Sequence, residues 1–262
     1  MNPWEKGIWC LTTGLTAGVL IKLGLTGLIR IYKLLFCFLA WDFLSSVAGL
    51  LISFHSTAYG YYYFSVQTVK IVISALMLVE IYSLALERHP ALAQFGRSTL
   101  SYILGCAAVV PVIGIWADRP VVPDAHPYLH AYFLFEQTMD ATMAIFLILI
   151  SIFMAWFPVR LRRNVIVYIS GFIVWSLSRS AYIHLINRWF TNKDLKLATN
   201  MVQMGVVLAC LSFWLLELRR EGEIRTAVVG HLWNRAEAER LTEQLNAINN
   251  SIARMRRGSI AK

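Results

Sequence analysis

Charged residues are scarce in this chain. Asp, Glu, Lys and Arg make up 15% of its 262 residues and hydrophobic types 58%, whereas soluble domains carry roughly a quarter charged residues. A water-soluble fold has nowhere to hide that much apolar surface. Cysteine is also sparse, and Cys10, Cys37, Cys106 and Cys210 all fall inside apolar blocks. That placement excludes a disulfide-built scaffold. Sequence signatures of membrane and soluble enzymes are missing too: there is no Gly-x-Ser-x-Gly, no His-Glu-x-x-His, no P-loop and no set of histidine boxes. No catalytic residue is assigned, and the chain reads as a non-enzyme that requires no cofactor. Met1 to Lys6 lacks the basic n-region and small-residue cleavage site of a signal peptide, so the first apolar block is expected to remain as a helix.

What the chain does have is apolar blocks long enough to cross about 30 Å of hydrocarbon, which takes roughly 17 to 25 helical residues. Spans are predicted at 7–21, 34–54, 62–86, 98–116, 133–157, 165–186 and 201–218. The first is the shortest, and reaches full length if Lys22 extends to the interface. The predicted fold class is therefore all-α: a polytopic membrane protein with a seven-transmembrane-helix bundle over residues 1–218 and a tail over 219–262. Alternating the loops puts Lys22, Arg30, Lys33, Arg88, Arg97, Arg160, Arg162, Arg163, Arg219 and Arg220 on one side. The other side receives Lys6, Arg119, Arg188, Lys193 and Lys196. The first group crowds helix ends in short loops, so that side is expected to be cytoplasmic, with the amino terminus outside. A multi-pass protein of the bacterial inner membrane fits this pattern. The net charge of +9 then points to anionic lipid headgroups and not to nucleic acid.

Two connections stand out. Residues 117–132 carry three prolines, Pro120, Pro123 and Pro127, and read as an ordered or lid-like outer loop. The connection between the second and third spans is little more than a turn, which makes those helices antiparallel neighbours. Gly14 with Gly18, and Ser101 with Gly105, have the small-xxx-small spacing of close helix packing. In the tail, Leu241, Leu245, Ile248, Ile252 and Met255 recur every three or four residues as one apolar seam. Such a seam docks an amphipathic helix on its own bundle or on lipid, or else joins a protein partner or a second copy in a homo-oligomer.

Ionisable side chains inside hydrocarbon cost about 2.5–3.5 kcal/mol or more, so each needs a partner or water. Lys70, Asp140 and Arg179 lie at matching depths in the outer half, with Glu136 one helical turn from Asp140. They form either a buried ion-pair network or a polar pocket open to the outer side. Asp42 and Glu80 lie at matching depths in the inner half and would make an acidic pair that shares a proton. His126 and His130, with His55 and His184 also near the outer surface, are the candidates for a metal or haem, but their spacing fits no established metal motif. The seventh span lacks a lysine that could hold retinal.

The stretch from Tyr61 to Arg97, with LVEIYSLALERHPALAQFGR at its cytoplasmic end, resembles an uncharacterised group of bacterial seven-helix membrane proteins with a short helical cytoplasmic tail. The likeness extends loosely over spans two to seven and the tail. It implies topology and carries no activity, cofactor or site residue. Two functions follow as expectations: a receptor-like or scaffold subunit whose tail meets a partner, or a small-molecule or proton-coupled ion transporter using the intramembrane charges.

Overall fold

A computed structural model describes residues 3–51, 57–87, 127–156, 160–188, 193–224, 226–228 and 235–260, with scattered helical positions between 91 and 109. The predicted fourth span and Pro111 lie largely or wholly outside these residues, as do residues 110–126. The architecture is all-α. Among the described residues the long helices are α1 (Pro3–Thr26), α2 (Lys33–Leu51), α3 (Thr57–Ala85), α4 (Pro127–Trp156), α5 (Arg163–Arg188), α6 (Lys193–Glu217) and α7 (Arg235–Ile260). Five contain stretches long and apolar enough to cross a membrane: Lys6–Thr26, Tyr61–Ala85, Phe135–Met154, Arg163–Ile186 and Asp194–Glu217.

Several helices outrun the apolar blocks that announce them, because backbone hydrogen bonds carry a helix past the point where its side chains turn polar. α1 continues through Lys22 to Thr26, then stops at Gly27, whose φ of 72° lies in the left-handed region that glycine adopts without a Cβ penalty. The loop expected up to Tyr132 gives way to helix at Pro127. Proline suits a first helical position because its missing N–H is one that no helix pairs internally. Lys22 does not simply reach toward water: its ammonium donates to the Leu215 carbonyl near the end of α6, where carbonyls lack helical partners.

α1 packs beside α2 and α6, α5 beside α4 and α6, and α3 beside α2, α4 and α5. Leu39, Leu78, Met143, Leu147, Phe172 and Leu211 are among the fully buried residues at their centre. Leu11, Leu25, Val72, Leu149, Ile152, Val202 and Leu216 face outward. An apolar core wrapped in an apolar surface is what hydrocarbon solvent allows and water does not. Of the small residues, Gly18 lies 3.7 Å from a Leu215 methyl when a Cβ is built on it, whereas Gly14 and Gly105 meet no neighbour. A much closer helix approach falls elsewhere, at Gly171 of α5, where a Cβ would run into the Trp214 indole of α6. Gly171→Ala is accordingly expected to cost about 1–3 kcal/mol by overpacking. A thermal melt of the purified variant reads this loss.

The arginine-rich end of the bundle holds structure that the sequence pattern does not reveal. β1 (Arg160–Arg162) pairs antiparallel with β2 (Thr226–Val228), Leu161 opposite Ala227. The chain reaches β2 through a 3-10 turn at Arg220–Glu223, which a polar cluster fastens down. Glu223 Oε1 accepts from the Tyr32 hydroxyl (2.7 Å) and from Asn164 Nδ2 (2.6 Å), and Oε2 accepts from Arg162 (3.2 Å). Asn164 also donates to the Arg219 carbonyl (2.8 Å) and accepts from the Arg219 amide (3.3 Å). Beyond the ribbon, α7 folds back on the bundle: Leu245 is buried in the common core, and Asn249 accepts from the Ala91 amide at 3.1 Å. Of the predicted seam, Leu241 and Ile252 are half-buried and Ile248 is exposed. The Met255 side chain lies outside the description.

Burial, then the hydrogen bond to Glu223, raises the Tyr32 phenol above its ordinary value. An ionisation harder in the folded state than in the unfolded one stabilises the fold fully below the ordinary phenol value of about 10, and this stability is lost as pH rises above it. The wild-type protein is expected to lose melting temperature progressively above about pH 10, with a shallower slope in Tyr32→Phe. Parallel slopes in the two proteins would contradict this.

Candidate functional site

One cavity of about 380 Å³ lies between α1, α2, α3, α4, α5 and α6, and its polar lining includes Asp42, Lys70, Glu136, Arg179 and Gln203. Its lining positions run from the middle of the helices, at Trp175 and Val207, toward the ends away from the arginine-rich one, at Trp9 and Asn200. α1 and α6 contribute Trp9, Thr12, Asn200 and Met204, and α5 contributes Trp175 and Tyr182.

Arg179 is the hub. Its guanidinium pairs with Glu136, lies 2.8 Å from Asp140 through Nε, and donates to Gln67 Oε1 at 2.7 Å. Glu136 and Asp140 stand one turn apart on α4, so a single guanidinium of α5 reaches both. Burial here is severe, with side-chain exposures of 2% for Glu136 and 6% for Asp140. Among the described residues Glu136 Oε2 is buried and accepts no hydrogen bond. That matters because a buried acceptor left without a hydrogen bond costs about 1–3 kcal/mol.

Lys70 belongs to a second pair. Matching depth suggested that it stands with Asp140 and Arg179, but its ammonium sits 2.5 Å from Asp42 Oδ1. The predicted inner acidic pair of Asp42 and Glu80 is therefore not formed. From α3, the Glu80 carboxylate reaches the start of α2, where Oε1 accepts from the Leu34 amide (3.2 Å) and Oε2 from the Tyr168 hydroxyl (3.3 Å). A helix start offers unpaired amides and positive dipole, so it draws a carboxylate. Asp42 is eight residues further along α2, about 12 Å at 1.5 Å per residue.

Residue spacing alone gives no sign of the aromatic side of the pocket. Trp175 stacks on Trp214 (centroids 6.2 Å apart, 19° between planes) and takes Phe38 edge-on at 5.6 Å. Trp9 and Tyr63 line the same cavity. Tryptophans spaced along apolar helices read as membrane packing in a sequence, and only the fold shows two of them sharing a cavity with charges. His126 lies outside the described residues, and the His130 side chain is not described. Among the described residues, no three His, Cys, Asp or Glu side chains cluster as a metal site would require.

Comparison with protein-family models, curated proteins and solved structures finds no match.

Proposed function

We propose that this chain is a non-enzymatic, receptor-like integral membrane protein that binds a small polar ligand in an intramembrane pocket open to the outer side. The topology in this reading is seven spans of the bacterial inner membrane, with the amino terminus outside and the arginine-rich end in the cytoplasm. The observation that carries the reading is the cavity of about 380 Å³ lined by both ion pairs. Intramembrane charges that only lock helices together need no such space around them. The tail, with Leu245 in the core, sits where it can report on the bundle's packing. That position favours a docked helix over a free scaffold for a partner or homo-oligomer.

A cysteine at Gln203, in a chain with its native cysteines replaced, tests the reading. It should react with a small membrane-impermeant thiol reagent added outside intact cells. No reaction from outside would remove the pocket. Transport is the second reading, favoured by the Lys70–Asp42 pair that faces the same cavity. Solute flux into proteoliposomes above that of empty liposomes, abolished by Asp42→Asn, would select it.

A further inference from the structure

We infer that the pocket selects a small organic cation, an ammonium group seated between the Glu136 carboxylate and the rings of Trp9, Trp175 and Tyr63. The inference deepens the pocket reading above and rests on it. Three observations carry it independently of one another.

The first is charge. Asp42, Glu136 and Asp140 set three carboxylates against the two bases Lys70 and Arg179. With every group ionised, the cluster carries one excess negative charge inside hydrocarbon, where an uncompensated ion is least tolerable. An incoming cation removes the excess, whereas an anion doubles it. Both bases are moreover already matched to carboxylates.

The second is the unpartnered acceptor. Among the described residues Glu136 Oε2 accepts no hydrogen bond although its side chain is only 2% exposed, and Glu136 lines the cavity. A cation drawn up to this carboxylate would offset the charge that its unfilled oxygen keeps in a low-dielectric surrounding.

The third is the wall. Two indoles and a phenol border the cavity with the acid, and aromatic faces attract cations, Trp most strongly. A bare proton would also neutralise the cluster, but it needs neither rings nor a space of about 380 Å³.

The test uses the full-length chain with Gln203→Cys in the cysteine-replaced background, on intact cells. Rates are measured for a cationic trimethylammonium-ethyl and an anionic sulfonatoethyl methanethiosulfonate, each normalised to its rate with a free thiol in solution. A negative site should favour the cationic reagent by about tenfold or more, and Glu136→Gln should bring the ratio toward one. Tetramethylammonium chloride should slow modification of Gln203→Cys where sodium chloride at equal strength does not. Equal normalised rates without tetramethylammonium protection overturn the cation proposal and leave an outward pocket standing. Absence of modification by either reagent defeats the pocket reading itself. Protection needs no further substitution, so it decides the matter even if Glu136→Gln fails to insert.

Discussion

Arg179→Met is expected to destabilise the protein by about 3–5 kcal/mol, the range for removing one partner of a buried ion pair. The reason lies in what the substitution leaves behind. Glu136 and Asp140 keep side-chain exposures of 2% and 6%, and no other described base contacts them. They must then either take up protons or draw water into the bundle, and both outcomes weaken the packing of α4 against α5. Melting of the solubilised variant should show the loss. Adding Glu136→Gln and Asp140→Asn to Arg179→Met should recover much of it, since a neutral set leaves no lone charge, and replacing a whole buried ionic group is often close to neutral. If Arg179→Met alone melted with the wild type, the acids would already be hydrated, and the cluster would be an aqueous vestibule rather than a buried network.

The recovered triple variant also separates architecture from recognition. It should insert and recover much of its melting temperature, yet its Gln203→Cys form should prefer the cationic reagent less than the wild-type background does, because its walls keep their rings and lose their acid. Cation–π attraction without a carboxylate contributes about 0.5–2 kcal/mol. Stability and selectivity therefore part company in one molecule.

Which features were legible in the sequence follows from the kind of force behind each. Helix class was legible because hydrocarbon imposes it over whole blocks: α3 and α5 carry long apolar runs that leave no other secondary structure. The contact of Arg179 with Asp140 was legible as a depth match, since antiparallel helices of similar length bring equal depths together. The same logic failed for Asp42 and Lys70. Asp42 is near the middle of α2, where depth counted from either end is ambiguous, and the flexible lysine stem bridges the difference. Glu80 escapes the same logic for another reason: its partners are a main-chain amide at Leu34 and the Tyr168 hydroxyl. A backbone donor leaves no mark in a list of side chains. The ribbon of β1 and β2 is invisible because three-residue strands fall below any periodicity window.

At the arginine-rich end the largest effect should come from Glu223→Leu. Three donors lose their acceptor at once: the Tyr32 hydroxyl, the Asn164 amide and the Arg162 guanidinium. Tyr32 and Asn164 are fully buried, so neither finds water without opening the fold, and each stranded donor costs about 1–3 kcal/mol. Arg162 is less affected because it also pairs with Glu87 at 2.7 Å, where both side chains are substantially exposed. Glu223→Gln can keep an oxygen for the two buried donors, which share Oε1, but loses the oxygen that faces Arg162, and should fall between Glu223→Leu and the wild type. The 3-10 turn at Arg220–Glu223 leads directly into β2 and then to α7, so loosening it should free the tail helix before the bundle melts. Limited proteolysis should cut α7 faster in Glu223→Leu, while Gln203→Cys in the same chain retains its charge preference, since no residue of this cluster borders the pocket. Unchanged protection of α7 would mean that Leu245 and Asn249 alone hold the tail. Faster cleavage together with a lost charge preference would instead show that the two ends of the bundle are mechanically joined, with α5 as the member common to both through Asn164 and Arg179.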